Sequence, residues 1–133
     1  MVYYDGSADE VKPASAFTWD TDGLTDTQAA FAAAFYGIAM EDSDSGETAR
    51  ILVDISPESV YEFDVPSATY NLDTTLGPDK ASGNALLDQT LETATAVNSI
   101  ARSRENKTSA TRLKVSFAPA HSTRSSNVNA NLG

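Results

Sequence analysis

An offset of 62 residues lays Leu24–Ile55 onto Leu86–Phe117 without a gap, and eight of the 32 positions are then identical. They are Leu24/Leu86, Asp26/Asp88, Ala32/Ala94, Ala34/Ala96, Ile38/Ile100, Ala39/Ala101, Arg50/Arg112 and Val53/Val115. Composition alone gives about two or three such matches. Phe35/Val97, Ile51/Leu113 and Ile55/Phe117 keep their apolar character. The duplicated material is an apolar run, a polar turn and a second apolar run, with nothing that does chemistry. The repeat therefore points to a structural or binding module rather than an enzyme.

In the first copy, Phe35–Met40 is a short apolar run that suits a buried strand. Glu41–Glu47 is a polar turn, and Arg50–Ile55 is the return strand with Ile51, Val53 and Ile55 on one face. The second copy gives a strand over Ala96–Arg102, a turn over Ser103–Ser109, and a strand over Arg112–Phe117 with Leu113, Val115 and Phe117 inward. Between the copies, Val60–Val65 alternates as a strand with Tyr61, Phe63 and Val65 inward, closed by Pro66. Tyr70–Leu72 can add a short strand, while Leu76-Gly77-Pro78 and Ala81–Asn84 read as loops. Ahead of the first hairpin, Thr25 or Asp26 is placed to cap a helix over Gln28–Phe35, and its alanines favour one. The matching Thr90–Ala96 is rich in β-prone threonine. Two copies of one sequence should share one shape, so the first stretch stays open between helix and strand and the second is expected extended or mixed.

Many short strands with regular turns predict an all-β fold. The expected architecture is a small β-barrel built from two related hairpin units, with room for one short helix. Three segments follow. Met1–Ala14 is an extended N-terminal arm, residues 15–117 are the barrel with its internal repeat (24–55 and 86–117), and residues 118–133 are a polar C-terminal tail with little to bury. At 133 residues the chain is one domain by length.

A net charge of −10 argues against nucleic acid, whose phosphates need clustered Lys and Arg. Six of the nine basic residues nonetheless lie between Arg102 and Arg124, and most of the acid lies in the first hundred residues. That division suits copies packing head to tail, or a basic end meeting an acidic partner. No apolar stretch approaches the ~20 residues needed to cross a membrane, and the first ten residues do not resemble a signal peptide. With no cysteine there is no disulfide framework or thiol chemistry.

No residue pattern calls for a catalytic group, a cofactor or a metal. Asp42-Ser43-Asp44-Ser45-Gly46-Glu47 offers hard oxygen ligands, but a calcium loop starting at Asp42 would need its last Glu where Val53 stands. His121, the single histidine, sits in the polar tail. Glu62 and Asp64 fall on the exposed side of their strand, where no carboxyl is pushed toward acid–base work. Asn106-Lys107-Thr108 fits a glycosylation triplet, a pattern common by chance. Tyr3, Tyr4, Phe17 and Trp19 are the aromatic candidates for contact with a partner.

The run Lys12–Asp20, followed by Thr27–Ala39, resembles the small decoration, or cement, proteins of tailed-phage capsids. In that group, phrases of the type Gly-Ile-Ala, polar turn, Val-x-Val recur near the middle and the end. Gly37-Ile38-Ala39 with Leu52–Ile55 matches the first phrase, and Ser99-Ile100-Ala101 with Leu113–Val115 the second. The resemblance spans roughly Lys12–Phe117. It implies a structural virion protein, commonly a homotrimer, that sits on the outer surface of an icosahedral shell, binds the major capsid protein and stabilises the particle. Other structural phage subunits (tail, fibre or surface layer) and a ligand-binding barrel are the alternatives.

Overall fold

The computed structural model describes residues 1–120. His121 and the rest of the expected tail, residues 121–133, lie outside them. The chain order is β1 (Val2–Asp5), β2 (Glu10–Pro13), α1 (Leu24–Ala34), β3 (Phe35–Ala39), β4 (Val53–Asp54), β5 (Val60–Tyr70), β6 (Thr75–Lys80), β7 (Leu86–Thr93), β8 (Ala101–Ser103) and β9 (Lys107–Phe117). Strands β5-β7-β6-β8-β9 close a barrel, and β2-β1-β3-β4 form an open sheet beside it. The expected small all-β barrel with one short helix is therefore present.

Its construction differs from two fused hairpins. The barrel is made entirely from residues from Val60 onward, and the first copy of the repeat lies outside it. Leu24–Ala34 is helix while its counterpart Leu86–Ala96 is mostly strand β7. Five alanines between Ala29 and Ala34 favour helix, and Thr90, Thr93 and Thr95 favour extension. The hairpin part of the repeat does recur. β3 and β4 pair antiparallel, as do β8 and β9. In both, a glutamate of the turn accepts the backbone N–H of the matched residue: Leu52 N–H to Glu41 Oε2 at 2.9 Å, and Lys114 N–H to Glu105 Oε1 at 3.0 Å.

Other expectations are corrected locally. Met1–Ala14, expected as one extended arm lying against the rest, is instead a hairpin of β1 and β2, with β1 paired to β3 through Val2↔Gly37 and Tyr3↔Phe35. The return strand Arg50–Ile55 shrinks to Val53–Asp54, leaving Leu52 and Ile55 exposed. Pro66 does not end its strand, because β5 carries it through a register shift between Asp64 and Ala68. Leu76-Gly77-Pro78 lies inside strand β6 instead of a loop. Ala96–Asn98 is a short 3-10 turn, so the strand begins only at Ala101.

The inward faces alternate as expected. Phe63 and Val65 on β5 and Leu113, Val115 and Phe117 on β9 are buried, with Leu76, Leu86, Leu91 and Ile100 filling the barrel. A relay of rings joins barrel to sheet. Phe63 meets Phe117 at 5.0 Å, Phe117 meets Phe35 at 5.6 Å, Phe35 meets Phe31 at 5.9 Å, and Phe31 meets Phe17 at 5.3 Å. One continuous core results, so sheet and barrel are stabilised by the same apolar burial.

Candidate interaction surface

Between β2 and α1 the chain makes a 3-10 turn over Ala14–Ala16. Phe17–Asp20 is irregular chain, held at both ends by side chains from elsewhere. At one end the Asp88 carboxylate of β7 accepts from the Ser15 N–H and the Ser15 hydroxyl, each at 2.8 Å. At the other, Asp20 N–H donates to Thr27 Oγ1 at 2.9 Å, and that hydroxyl donates to the Gly23 carbonyl at 2.8 Å. Loop backbone fixed in this way presents its side chains in one arrangement.

That loop lines an open cleft of about 540 Å³ with Tyr3, Phe17 and Trp19 as its aromatic side and Asp5, Ser7, Thr18, Asp20 and Thr21 among its polar residues. The four aromatic candidates divide by burial. Tyr3 is buried, its ring edge-on to Phe17 at 4.8 Å, with its hydroxyl donating to the Ala16 carbonyl at 3.3 Å. Phe17 and Trp19 are half-buried and pack on the core. Tyr4 is half-exposed, its hydroxyl donating to Asp9 Oδ1 at 2.7 Å. The structure therefore brings Tyr3, Phe17 and Trp19 together and sets Tyr4 on the adjoining β1–β2 hairpin.

The cleft's carboxylates are already engaged. Asp5 accepts from Lys12 Nζ at 2.7 Å and from the Ser7 hydroxyl and N–H at 2.6 and 3.0 Å. The Lys12 bond, then the two Ser7 bonds, hold the Asp5 carboxyl far below the ordinary range. An aspartate so paired is a fixed anion and not a proton carrier.

A second, smaller cleft of about 310 Å³ lies between sheet and barrel, lined by Ile38, Met40, Tyr61, Glu62, Asp64 and Arg112 among others. Here Glu62 and Asp64 both pair with the Arg112 guanidinium, at 2.9 and 3.3 Å. In the acidic turn, Glu47 accepts from Asp44 N–H at 3.2 Å. Among the described residues, no three His, Asp or Glu side chains come together as a metal site, and no helix is long and apolar enough to cross a membrane. Asn106 of the glycosylation triplet accepts the Leu72 N–H at 2.8 Å.

Two functional details were invisible in the sequence. The Asp88 and Thr27 clamps act across 73 and 7 residues, and no local pattern marks them. The one available signal was the Asp26/Asp88 identity in the repeat, and it misleads, because Asp26 is exposed and holds no corresponding clamp among the described residues. Comparison with protein-family models, curated proteins and solved structures finds no match.

Proposed function

We propose that this chain is a non-enzymatic structural virion protein that docks on the outer surface of an icosahedral phage capsid, against the major capsid protein, and stabilises the shell as a homotrimer. The observation that carries this reading is a coincidence of segments. Phe17–Asp20, part of the run that resembles cement proteins, is also the clamped loop that offers aromatic side chains to the larger cleft. Half-buried Trp and Phe beside a polar rim have the anatomy of a protein-binding surface. A closed barrel sharing one core with the sheet supplies a stiff base for that face. On a repeating lattice, many modest contacts of this kind add up.

Sedimentation of the purified protein with DNA-filled and with empty phage heads tests it. Binding to both at a fixed copy number is expected, with Trp19→Ala reducing occupancy about tenfold or more at a temperature well below the variant's own melting point, since Trp19 also packs on the core. Protein left in the supernatant in both cases would overturn the reading, as would full occupancy by a Phe17→Ala, Trp19→Ala double variant.

A further inference from the structure

The two copies of the hairpin carry opposite charge. Glu41–Ile55 holds five acidic residues and one arginine, whereas the matching Ser103–Phe117 holds four basic residues and one glutamate. Individual positions invert: Asp42 matches Arg104. The acidic copy is also unfinished. β9 is flanked on one side by β8 and on the other by β5, while β4 has β3 on one side and, among the described residues, no strand on the other. Around this open edge Met40, Leu52, Ile55 and Val60 are 50%, 63%, 43% and 52% exposed. Met40 N–H donates to the Leu52 carbonyl at 2.9 Å, which sets those two opposite each other at the end of the ladder. Glu41, Asp42, Asp44, Glu47 and Glu58 are all exposed around them.

The basic copy presents the complement. Arg104 N–H donates to the Lys114 carbonyl at 2.8 Å, so the two are cross-strand neighbours on the outer wall of the barrel. Both are exposed, and neither forms an ion pair among the described residues. Arg102 and Arg112 share that outward side, by the alternation of strand residues. Arg112 is neutralised by Glu62 and Asp64, and Lys107 lies 3.9 Å from Glu105. Like charges directly opposite each other destabilise a sheet; Lys114 has Glu62 of β5 as its register partner on the other side, but that carboxylate is paired with Arg112.

We infer that the acidic β3–β4 hairpin of one copy docks on the basic β8–β9 wall of a second copy, a head-to-tail contact between unlike surfaces. The chain carries both halves of the contact, so a second copy needs no further chemistry to fit. Exposed apolar side chains at the β4 edge lose water on contact, and the acidic rim supplies counter-charge to Arg104 and Lys114. Because the joined surfaces differ, the contact closes into a ring or propagates, and it does not pair two copies face to face. The inference deepens the self-association part of the proposed function and uses a face other than the Phe17–Trp19 cleft.

Sedimentation equilibrium of the purified full chain, with no phage particle present, tests it separately from capsid binding. Association is expected at about 0.02 M salt and should weaken about tenfold or more at about 0.5 M, where screening is short-ranged. Charge reversal on either side alone, Asp42→Lys with Asp44→Lys or Arg104→Glu with Lys114→Glu, should abolish association of that variant with itself. Mixing the two variants should restore it, because each then offers the charge the other lacks. A wild-type monomer at low salt overturns the inference. Salt-independent association, or a mixture no better than its parts, overturns it equally by placing the contact elsewhere.

Discussion

Gln28, in the middle of α1, donates from its side-chain amide to the Pro78 carbonyl of β6 at 2.8 Å, joining the helix to the barrel wall. The same nitrogen donates to Glu92 Oε1 on β7 at 2.7 Å. Gln28 is 4% exposed, so no water can replace it freely. Gln28→Ala strips both acceptors of their donor and should cost about 1–3 kcal/mol, the usual penalty for a buried polar group left unpaired. Gln28→Glu should cost at least as much, because it sets a second carboxylate against Glu92. Urea unfolding of the two variants measures this, and midpoints equal to wild type would mean the latch carries no stability.

Glu92 makes stability depend on pH. Burial, then the nearby Asp79 charge, raises its carboxyl above the ordinary 4.5, against the Gln28 bond that favours the charged form. The folded protein therefore holds this proton more tightly than the unfolded chain does. This group's contribution is greatest below about pH 4.5 and declines as pH rises through the folded-state value. Glu92→Gln keeps an acceptor for Gln28 and removes the charge. It should raise the melting temperature by about 1–3 °C near pH 7 and change little near pH 4, the gain being modest because the group is partly solvated. Melting curves at the two pH values decide it, and an equal shift at both would assign the effect to packing.

The barrel was legible where one face of a strand is dry. Tyr61, Phe63, Val65 and Leu113, Val115, Phe117 alternate because period-two burial writes itself into sequence. β6 was not legible, because Pro78 lacks an N–H and reads as a loop. In the barrel that lack goes unpunished: β8 pairs with β6 only at Thr75 and Leu76. The N-terminal sheet was missed for another reason. Val2–Asp5 is too short to show a period, and Tyr3 is buried only because α1 and Phe17 cover it. Phe17 and Trp19 were identified by residue type, but the clamps that place them join residues far apart in the chain.

The repeat's one glycine-to-serine exchange is explained by register. A Cβ on Gly37 would fall on the Asp54 carbonyl oxygen and within 2.9 Å of the Val53 side chain. Only glycine admits β4 that closely. In the second hairpin the pairing is displaced: Ile38 faces Asp54, but its counterpart Ile100 accepts from Ala118 N–H where Ser116 would be the matched partner. Ser99, at the Gly37 position, thus lies ahead of β8, its hydroxyl donating to the Ala96 carbonyl at 2.9 Å. Gly37→Ser should cost about 1–3 kcal/mol and expose the Met40 amide to hydrogen exchange. Ser99→Gly should cost under about 1 kcal/mol. Equal costs would show that the β3–β4 approach is not the reason for the glycine.

Tyr3 decides whether the N-terminal sheet is an appendage or part of the core. Its ring lies 4.8 Å from Phe17 and 6.1 Å from Phe31, both edge-on, and β1 is the strand between β2 and β3. Tyr3→Ala opens a cavity at the end of the aromatic relay and should cost about 3–5 kcal/mol. Tyr4→Ala, one residue on and half-exposed, should cost under about 1 kcal/mol. Deleting residues 1–12 removes β1 and most of β2, uncovering Phe17 and Phe31. The truncated chain should therefore melt well below wild type and expose dye-binding apolar surface. A truncation that melts cooperatively at the wild-type temperature would mean that the barrel and α1 need no cover from β1, and that the segment is free to work as a reaching arm.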